Sequence, residues 1–205
     1  MDAIEAMETC RAIRYLRPDP VPEALLRRVV HAATCASNPG NSQGWGFVVV
    51  RDPGRRARIR DAIAPMGAAI DALERTDAAQ ARMLAGAAHL ARHLGRVPVL
   101  IFVCGRAVYP PEAPSLQMLW ASLYPAAQNL VVAARALGLG TTFTTFHLAA
   151  EDAVREVLAL PDDVRIGVTV ALGWPDRPFG PVRRRPLDEV LYWERWGAAA
   201  REAPD

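Results

Sequence analysis

The sequence predicts a globular protein in which helices and strands are interspersed along the chain. The chain has 205 residues, 51% of them hydrophobic and 22% charged, so it can bury a substantial core as one domain or two small lobes. Short apolar runs typical of strands occupy residues 45–50, 97–104 and 165–173. Longer stretches with apolar residues at helical spacing lie between them. This order of patterns indicates a mixed α and β fold.

The basic side chains restrict the chemistry that is open to this protein. All 24 of them are arginines, so Schiff-base and pyridoxal phosphate chemistry and a P-loop lysine are excluded. Arginines and backbone N–H groups must therefore bind any anionic ligand. The formal net charge of +2 is small, so we expect neither a nucleic-acid partner nor a membrane surface.

The cysteines and the longest apolar run bear on the cellular compartment. Cys10, Cys35 and Cys104 are widely spaced and form no CxxC pair, which disfavours a disulfide framework or a zinc site. The run 97–104 has far fewer than the ~20 residues that cross a bilayer, and the N-terminus lacks the features of a signal peptide. We therefore expect a cytoplasmic protein that binds no metal and has no membrane-spanning segment.

The N-terminal residues have helical spacing that includes two arginines. Ile4, Met7, Arg11 and Arg14 would lie on one side of an opening helix. An apolar face that ends in two guanidinium groups indicates contact with an anion. The alternative is an ordinary solvated helix face.

A polar loop separates the second predicted helix from the first predicted strand. The helix should cover residues 22–36, with Pro and Glu in its first turn. Residues 37–44 are small, polar or turn-forming and lead directly into the strand 45–50. Such a loop is a favourable place for a binding site, although its polar residues could also serve only as turn and cap residues.

The middle of the chain is expected to be mainly helical. An Arg-rich helix should run to about residue 64 and an Ala-rich helix over 77–94. His89 and His93 lie four residues apart on the second of these, but no third metal ligand is evident. The run 97–104 then predicts a central strand.

The C-terminal half contains a long helix followed by shorter elements. Apolar residues over 116–137 indicate a helix with an apolar surface on several sides, ended by Gly138. Residues 141–146 are β-branched or aromatic and favour a strand, a short helix should cover 149–158, and 165–173 is another strand. Three adjacent arginines at 183–185 precede a short end predicted to be helical, with Trp193 and Trp196.

Four segments, taken in order, resemble the FMN-dependent nitroreductase family. They are residues 8–14 (ETCRAIR), residues 36–47 ending in NSQGWGF, residues 124–141 with their GLGT turn, and residues 171–187 with LGWP and RRRPL. The chain departs from the usual pattern at Cys10, Ala12, Ser37-Asn38 and Thr145-Phe146. The resemblance implies an α+β fold with a central, mostly antiparallel or mixed sheet flanked by helices. It also implies an intertwined homodimer with FMN at each interface, and one domain over 1–205 with a variable helical insertion at about 55–96.

The resemblance also assigns candidate FMN-binding residues. The phosphate needs cationic donors, which Arg11, Arg14 and one or two of Arg183, Arg184 and Arg185 would supply, since adjacent arginines on a strand alternate sides. Ala12 and the loop residues Ser37, Asn38, Pro39 and Asn41 would face the ribityl chain and the ring edge. Thr144, Thr145 and Phe146 would pass the ring, with the Thr145 backbone N–H near N5. A plain strand and turn is the alternative for these last three residues.

The implied activity is that of an NAD(P)H oxidoreductase. Hydride would pass from NAD(P)H to FMN, and two electrons would then pass to an electron-poor small-molecule acceptor, such as a nitroaromatic or a quinone, by a ping-pong mechanism in one shared pocket. No protein side chain needs to act as a catalytic nucleophile. Two alternatives stay open: another flavoenzyme of the same fold, such as a dehydrogenase, a dehalogenase or a flavin-fragmenting enzyme, and a non-catalytic flavin-binding protein.

Overall fold

The computed structural model describes residues 1–198 and shows helices packed on a five-stranded sheet. In chain order the elements are α1 (Ala3–Thr9), β1 (Leu16–Arg17), α2 (Glu23–Thr34), β2 (Trp45–Val50), α3 (Pro53–Ile63), α4 (Pro65–Asp71), α5 (Ala78–His93), β3 (Val99–Gly105), α6 (Leu116–Ala136), β4 (Gly140–Thr144), α7 (Glu151–Leu158) and β5 (Arg165–Pro175). Short 3₁₀ turns cover Pro39–Asn41, Leu94–Arg96, Phe146–Ala149 and Leu187–Glu189. None of the helices in this part of the chain has both the length and the apolar character needed to cross a membrane.

Every strand pair of the sheet is antiparallel. β3 lies between β2 and β5, β4 pairs with β5, and β1 pairs with the last two residues of β5. A single isolated parallel bridge joins Ala12 to Thr141 at the outer edge of β4. The α+β class with a mostly antiparallel sheet, predicted from the sequence motifs, is confirmed.

The sheet is covered by helices on both faces because side chains alternate along its central strands. In β3, Leu100, Phe102 and Cys104 pack with α3, α5 and α7, whereas the intervening residues pack with α2 and α6. All seven residues of β3 are buried, as the uninterrupted apolar run predicts for a central strand. The expected insertion at 55–96 is helical, and α3 and α5 contribute buried residues such as Ile59 and Leu90 to the core.

The opening helix is shorter than predicted. It ends at Thr9, whose hydroxyl donates to the Glu5 carbonyl, and the chain then becomes extended. The Ile13 N–H donates to the Thr141 carbonyl at 2.8 Å, beside the bridge from Ala12 to Thr141. Pairing with the edge of β4 therefore replaces the helix that the spacing of apolar residues favours. The prediction that Arg11 and Arg14 share a helical face is wrong.

Most other predicted elements lie within a few residues of their expected positions. α2, β2, α3, α5, α6, α7 and β5 match the sequence patterns, whereas β1 and α4 were not anticipated. The C-terminal end was expected to be helical, but among its described residues only the 3₁₀ turn Leu187–Glu189 is helical. Trp193 and Trp196 are exposed there, Trp196 to 90%.

Candidate functional site

A cavity of about 580 Å³ lies at the edge of the sheet, where three segments meet. Its walls are formed by the N-terminal segment after α1, the first half of α5 and the C-terminal segment after β5. Its volume is within the range of ~300–1,000 Å³ that small-molecule sites occupy. We call it the arginine cavity; its lining residues are Cys10, Arg11, Ala12, Ile13, Arg14, Tyr15, Ala79, Arg82, Met83, Gly86, Arg177, Pro178, Pro181, Val182, Arg183 and Arg184.

Backbone hydrogen bonds hold the C-terminal segment against the N-terminal one. The Val182 N–H donates to the Glu8 carbonyl at 2.8 Å, and the Asp176 N–H donates to the Tyr15 carbonyl at 3.1 Å. These bonds fix both ends of the residues that pass over the cavity. Two chain segments that are remote in sequence thereby bring their arginines together.

Two cation–π contacts add to this attachment. The Arg177 guanidinium lies 4.1 Å from the centre of the Tyr15 ring, and that of Arg135, near the end of α6, lies 4.0 Å from the Phe179 ring. Such contacts contribute about 0.5–1 kcal/mol when exposed and more when desolvated. They orient the segment that carries Arg183 and Arg184.

The lining of the arginine cavity is strongly basic. It contains six arginines and no acidic residue, and within residues 1–198 none of these six forms an ion pair. Burial, and then the neighbouring charge of Arg11, lowers the pKa of the half-buried Arg14 guanidinium. The other five arginines are exposed, so their N–H groups are available to an anion, and the cavity fits a ligand with a phosphate group.

A glycine on α5 makes room for Arg14. A Cβ at Gly86 would lie only 3.1 Å from Arg14 Cδ. Gly86 and Arg82 are four residues apart and therefore share one face of α5. Arg82, Gly86 and Arg177 were not predicted from the sequence; the signal that could have identified the first two is this pairing of a glycine and an arginine in an otherwise Ala-rich helix.

The structure brings five of the predicted site residues into this cavity. Arg11, Ala12, Arg14, Arg183 and Arg184 line it. Arg185 does not line the cavity. Residues 183–185 are irregular rather than part of a strand, because the segment follows the surface of the N-terminal chain. That at most two of the three arginines meet one ligand stays a prediction, and the strand on which it was based is absent.

The predicted loop residues Ser37, Asn38, Pro39 and Asn41 lie elsewhere on the chain. The loop lies near the N-terminal end of α6. Gly40 is so close to the Tyr109 ring that a Cβ at this position would collide with it, and the Tyr109 carbonyl accepts the N–H of Ser115, the residue that caps α6. The arginine cavity lies nearer the other end of α6, because Arg135 in the last turn of α6 contacts Phe179 of the segment that passes over the cavity, and the lining residue Ala12 pairs with Thr141. With 21 residues, α6 is about 30 Å long.

The loop side chains differ in how they are used. The Asn38 Oδ1 accepts the Gln43 N–H at 2.9 Å and so stabilises the loop itself. Ser37 and Asn41 are exposed, and Asn41 has φ of +48°, a conformation that asparagine tolerates. Ser37 and Asn41 are therefore the loop side chains most available to a ligand or to another chain.

The third predicted group, Thr144, Thr145 and Phe146, lies where β4 ends. Thr144 is buried and its hydroxyl accepts the Phe146 N–H at 2.9 Å, whereas Thr145 is exposed. Thr145 follows Thr141 by four residues, which is about 13 Å along an extended strand. These residues do not line the arginine cavity but lie farther along the strand that borders it.

Residues 1–198 contain no group of three or more histidine, cysteine, aspartate or glutamate side chains placed to hold a metal ion. The fold is an antiparallel sheet with helices on both faces, and the arginine cluster at its edge, which forms no ion pair within residues 1–198, has the chemistry needed to bind a phosphorylated organic ligand.

Comparison with known proteins gives the family. The model of the nitroreductase family matches residues 8–174, and the chain belongs to this family. It is 31% identical to an NADH dehydrogenase of Thermus thermophilus over 94% of this chain and 96% of that protein. It is also 31% identical to a 5,6-dimethylbenzimidazole synthase of Rhodospirillum rubrum, over 94% and 90% of the two chains.

Solved structures agree with this result. The crystal structure of the FMN- and NADPH-dependent nitroreductase NfnB from Sphigopyxis sp. strain HMH superposes with a TM-score of 0.72 at 25% identity. The match covers 96% of this chain and all of that one. The family predicted from four short motifs is therefore confirmed.

Proposed function

We propose that the arginine cavity holds the phosphate of FMN and that the protein is an FMN-dependent oxidoreductase using NAD(P)H. The observation that carries the proposal is the half-buried Arg14, which lies among five further arginines with no acidic partner in the described chain. A phosphate dianion would satisfy this cluster. The relatives named as NADH dehydrogenase and as FMN- and NADPH-dependent nitroreductase support the cofactor and the electron donor.

The rest of the cofactor would extend along the edge of β4. With its phosphate at Arg11, Arg14, Arg183 and Arg184, the ribityl chain would pass Ala12, and the ring would lie toward Thr145. The exposed Thr145 can present its backbone N–H to ring atom N5, where hydride arrives and leaves. A donor at N5 would be fixed by the strand and would not need to move during turnover.

Ser37, Asn38, Pro39 and Asn41 would reach the cofactor from a second copy of the chain. The length of α6 separates them from the arginine cavity of their own chain, so they complete a site only if a partner subunit supplies them. Exposed apolar residues support a homodimer: Ile4, Met7, Tyr124, Phe143 and Trp196 are 41–90% exposed in the single chain. The exposed Trp196 would then pack on the partner.

The protein's task in this reaction is binding and orientation. When bound, FMN supplies the redox chemistry, taking a hydride from NAD(P)H and returning two electrons to an acceptor. Asn41 is the candidate donor to the ring edge that would carry the additional negative charge of the reduced state. Donor and acceptor would use one pocket in turn, which gives ping-pong kinetics, and no side chain has to form a covalent bond. The preferred acceptor is an electron-poor compound such as a nitroaromatic or a quinone.

One specific observation favours a second candidate function. The 31% identity to a 5,6-dimethylbenzimidazole synthase extends over most of both chains, so a flavin-fragmenting reaction on the same fold is the alternative. A flavin-binding protein without turnover is a further alternative.

The cysteines bear on the compartment that we propose for this protein. The free cysteines Cys10, Cys35 and Cys104 agree with a reducing cytoplasm.

Anaerobic reduction tests the proposal. We expect NADH or NADPH to bleach the visible flavin band of the purified protein, and a nitroaromatic or a quinone to restore it with the flavin intact. Reduction followed by loss of intact flavin in air would favour the flavin-fragmenting reaction. Bound FMN that neither nicotinamide reduces would contradict the oxidoreductase assignment and favour the non-catalytic alternative.

A further inference from the structure

A second, smaller cavity of about 200 Å³ lies behind the first. It is formed by residues in and on each side of β1, by the C-terminal half of α5 and by the turn before β3. This volume is several times the ~30 Å³ that one water molecule occupies in the liquid, so the cavity can hold a tetrahedral oxyanion. We call it the histidine cavity; its lining residues are Arg14, Leu16, Pro18, His89, Leu90, His93, Arg96 and Val97.

The polar side chains of this cavity are all basic. Arg14, His89, His93 and Arg96 face it together with apolar residues, and in the described part of the chain no acidic residue lines it. Within residues 1–198, none of these four takes part in an ion pair, whereas the neighbouring Arg92 pairs with Asp71. The cavity thus combines donors for an anion with the absence of a built-in counter-charge.

The two histidines are held in a fixed arrangement. The rings of His89 and His93 stack with centroids 4.3 Å apart, and His89 also stacks on Tyr15 at 4.3 Å. The Nδ1 of His93 lies 2.8 Å from the His89 carbonyl. Because a carbonyl oxygen only accepts, Nδ1 carries a proton; Nε2 of His93 is then an acceptor in the neutral ring and donates to an anion only when the ring is positively charged.

The surroundings of His89 make it a group that responds to a bound anion. Burial lowers its pKa, and the positive charges of His93, Arg177, Arg96 and Arg92 lower it further. These groups come from α5, from the turn before β3 and from the C-terminal segment. An anion would favour the charged form of the His89 imidazole, so binding would be coupled to proton uptake by this ring.

The histidine cavity is distinct from the proposed phosphate position of FMN. Tyr15 lines the arginine cavity, His89 lines the histidine cavity, and their rings are stacked on one another. Arg14 is the residue shared by both linings. His89, His93 and Arg96 contribute nothing to the arginine cavity and are free to serve another ligand.

We propose that the histidine cavity is a second oxyanion site, which binds a phosphate group through Arg96, His89, His93 and the adjacent side of Arg14. The phosphate can be inorganic phosphate or the 2′-phosphate of NADPH, which present the same tetrahedral dianion. The proposal goes beyond FMN binding and depends mainly on His89, His93 and Arg96, which do not line the arginine cavity; only Arg14 is shared with it.

NMR of the histidine rings tests this proposal on FMN-loaded protein, in which the cofactor occupies the arginine cavity. The chain has four histidines, which single His→Gln variants assign. Titration with inorganic phosphate should shift the His89 and His93 signals saturably and leave that of the exposed His31 on α2 unchanged. The Arg96→Gln variant should bind phosphate about tenfold more weakly, the loss expected for one charge-assisted contact. Arg27→Gln, which alters the exposed pair with Glu23, is the matched control.

The outcomes show separately whether the site exists and which phosphate it binds. Absence of saturable shifts, or equal shifts in the Arg96→Gln variant, would overturn the proposal. If the site exists and Arg96→Gln raises KM for NADPH but not for NADH, the phosphate belongs to the nucleotide. Unchanged KM values for both nucleotides, with weakened phosphate binding, assign the site to free phosphate.

Discussion

We expect the Arg14→Ala variant to bind FMN about a hundredfold more weakly than the native protein. Arg14 is half-buried without an ion pair in the described chain, and it can meet a phosphate with two parallel N–H donors. Two charge-assisted hydrogen bonds contribute roughly 3 kcal/mol together, which corresponds to this factor. Equilibrium titration of the cofactor-free protein with FMN, followed by flavin fluorescence, measures the change.

The stability of the cofactor-free variant distinguishes binding from folding. Since Arg14 is a desolvated cation next to Arg11, its removal should leave the thermal midpoint of the cofactor-free protein unchanged or higher. Arg17→Ala is the matched control, because Arg17 lies three residues away on β1, pairs with Asp19 and does not line the cavity. Native FMN affinity in the Arg14→Ala variant would contradict the assigned phosphate position.

We expect a mixed dimer to regain a flavin site that both of its parent dimers lack. In the first parent, Arg14→Ala removes the phosphate contact. In the second parent, Ser37→Ala combined with Asn41→Asp removes the loop contacts and adds a negative charge, while aspartate tolerates the left-handed conformation at position 41. If each site uses Arg14 of one chain and the loop of its partner, one of the two sites in the mixed dimer is fully native.

Purification through two different affinity tags isolates the mixed dimer, and the flavin content of each species is then measured. The expected result is about one FMN per mixed dimer and little in either parent dimer. A mixed dimer as poor in flavin as its parents would show that one chain builds the whole site. A monomer at working concentration would contradict the homodimer itself.

Local patterns predicted the fold well wherever burial and periodicity agree. The apolar run of β3 and the apolar stripe of α2 predicted these two elements correctly, because a strand and a helix, respectively, allow the apolar side chains to be buried. The prediction failed at residues 10–14, where helical spacing is present but Ala12 and Ile13 pair with Thr141. A contact between residues about 130 positions apart leaves no signal in local spacing.

The arginine cavity was predictable only in part for the same reason. The sequence motifs identified Arg11, Arg14, Arg183 and Arg184, whose types and order resemble the family. Arg82 and Arg177 were missed, because they reach the cavity through the packing of α5 and the attachment of the C-terminal segment to Tyr15. The distance between the loop 37–41 and the cavity likewise depends on the orientation of α6, which residue types alone do not define.

The visible absorption spectrum of the purified protein tests the central claim most directly. Bands near ~370 and ~450 nm, with about one FMN per chain released on heating, are the expected result. A colourless protein that also takes up no added FMN would contradict the account, since the unpaired arginines would then serve a different anion.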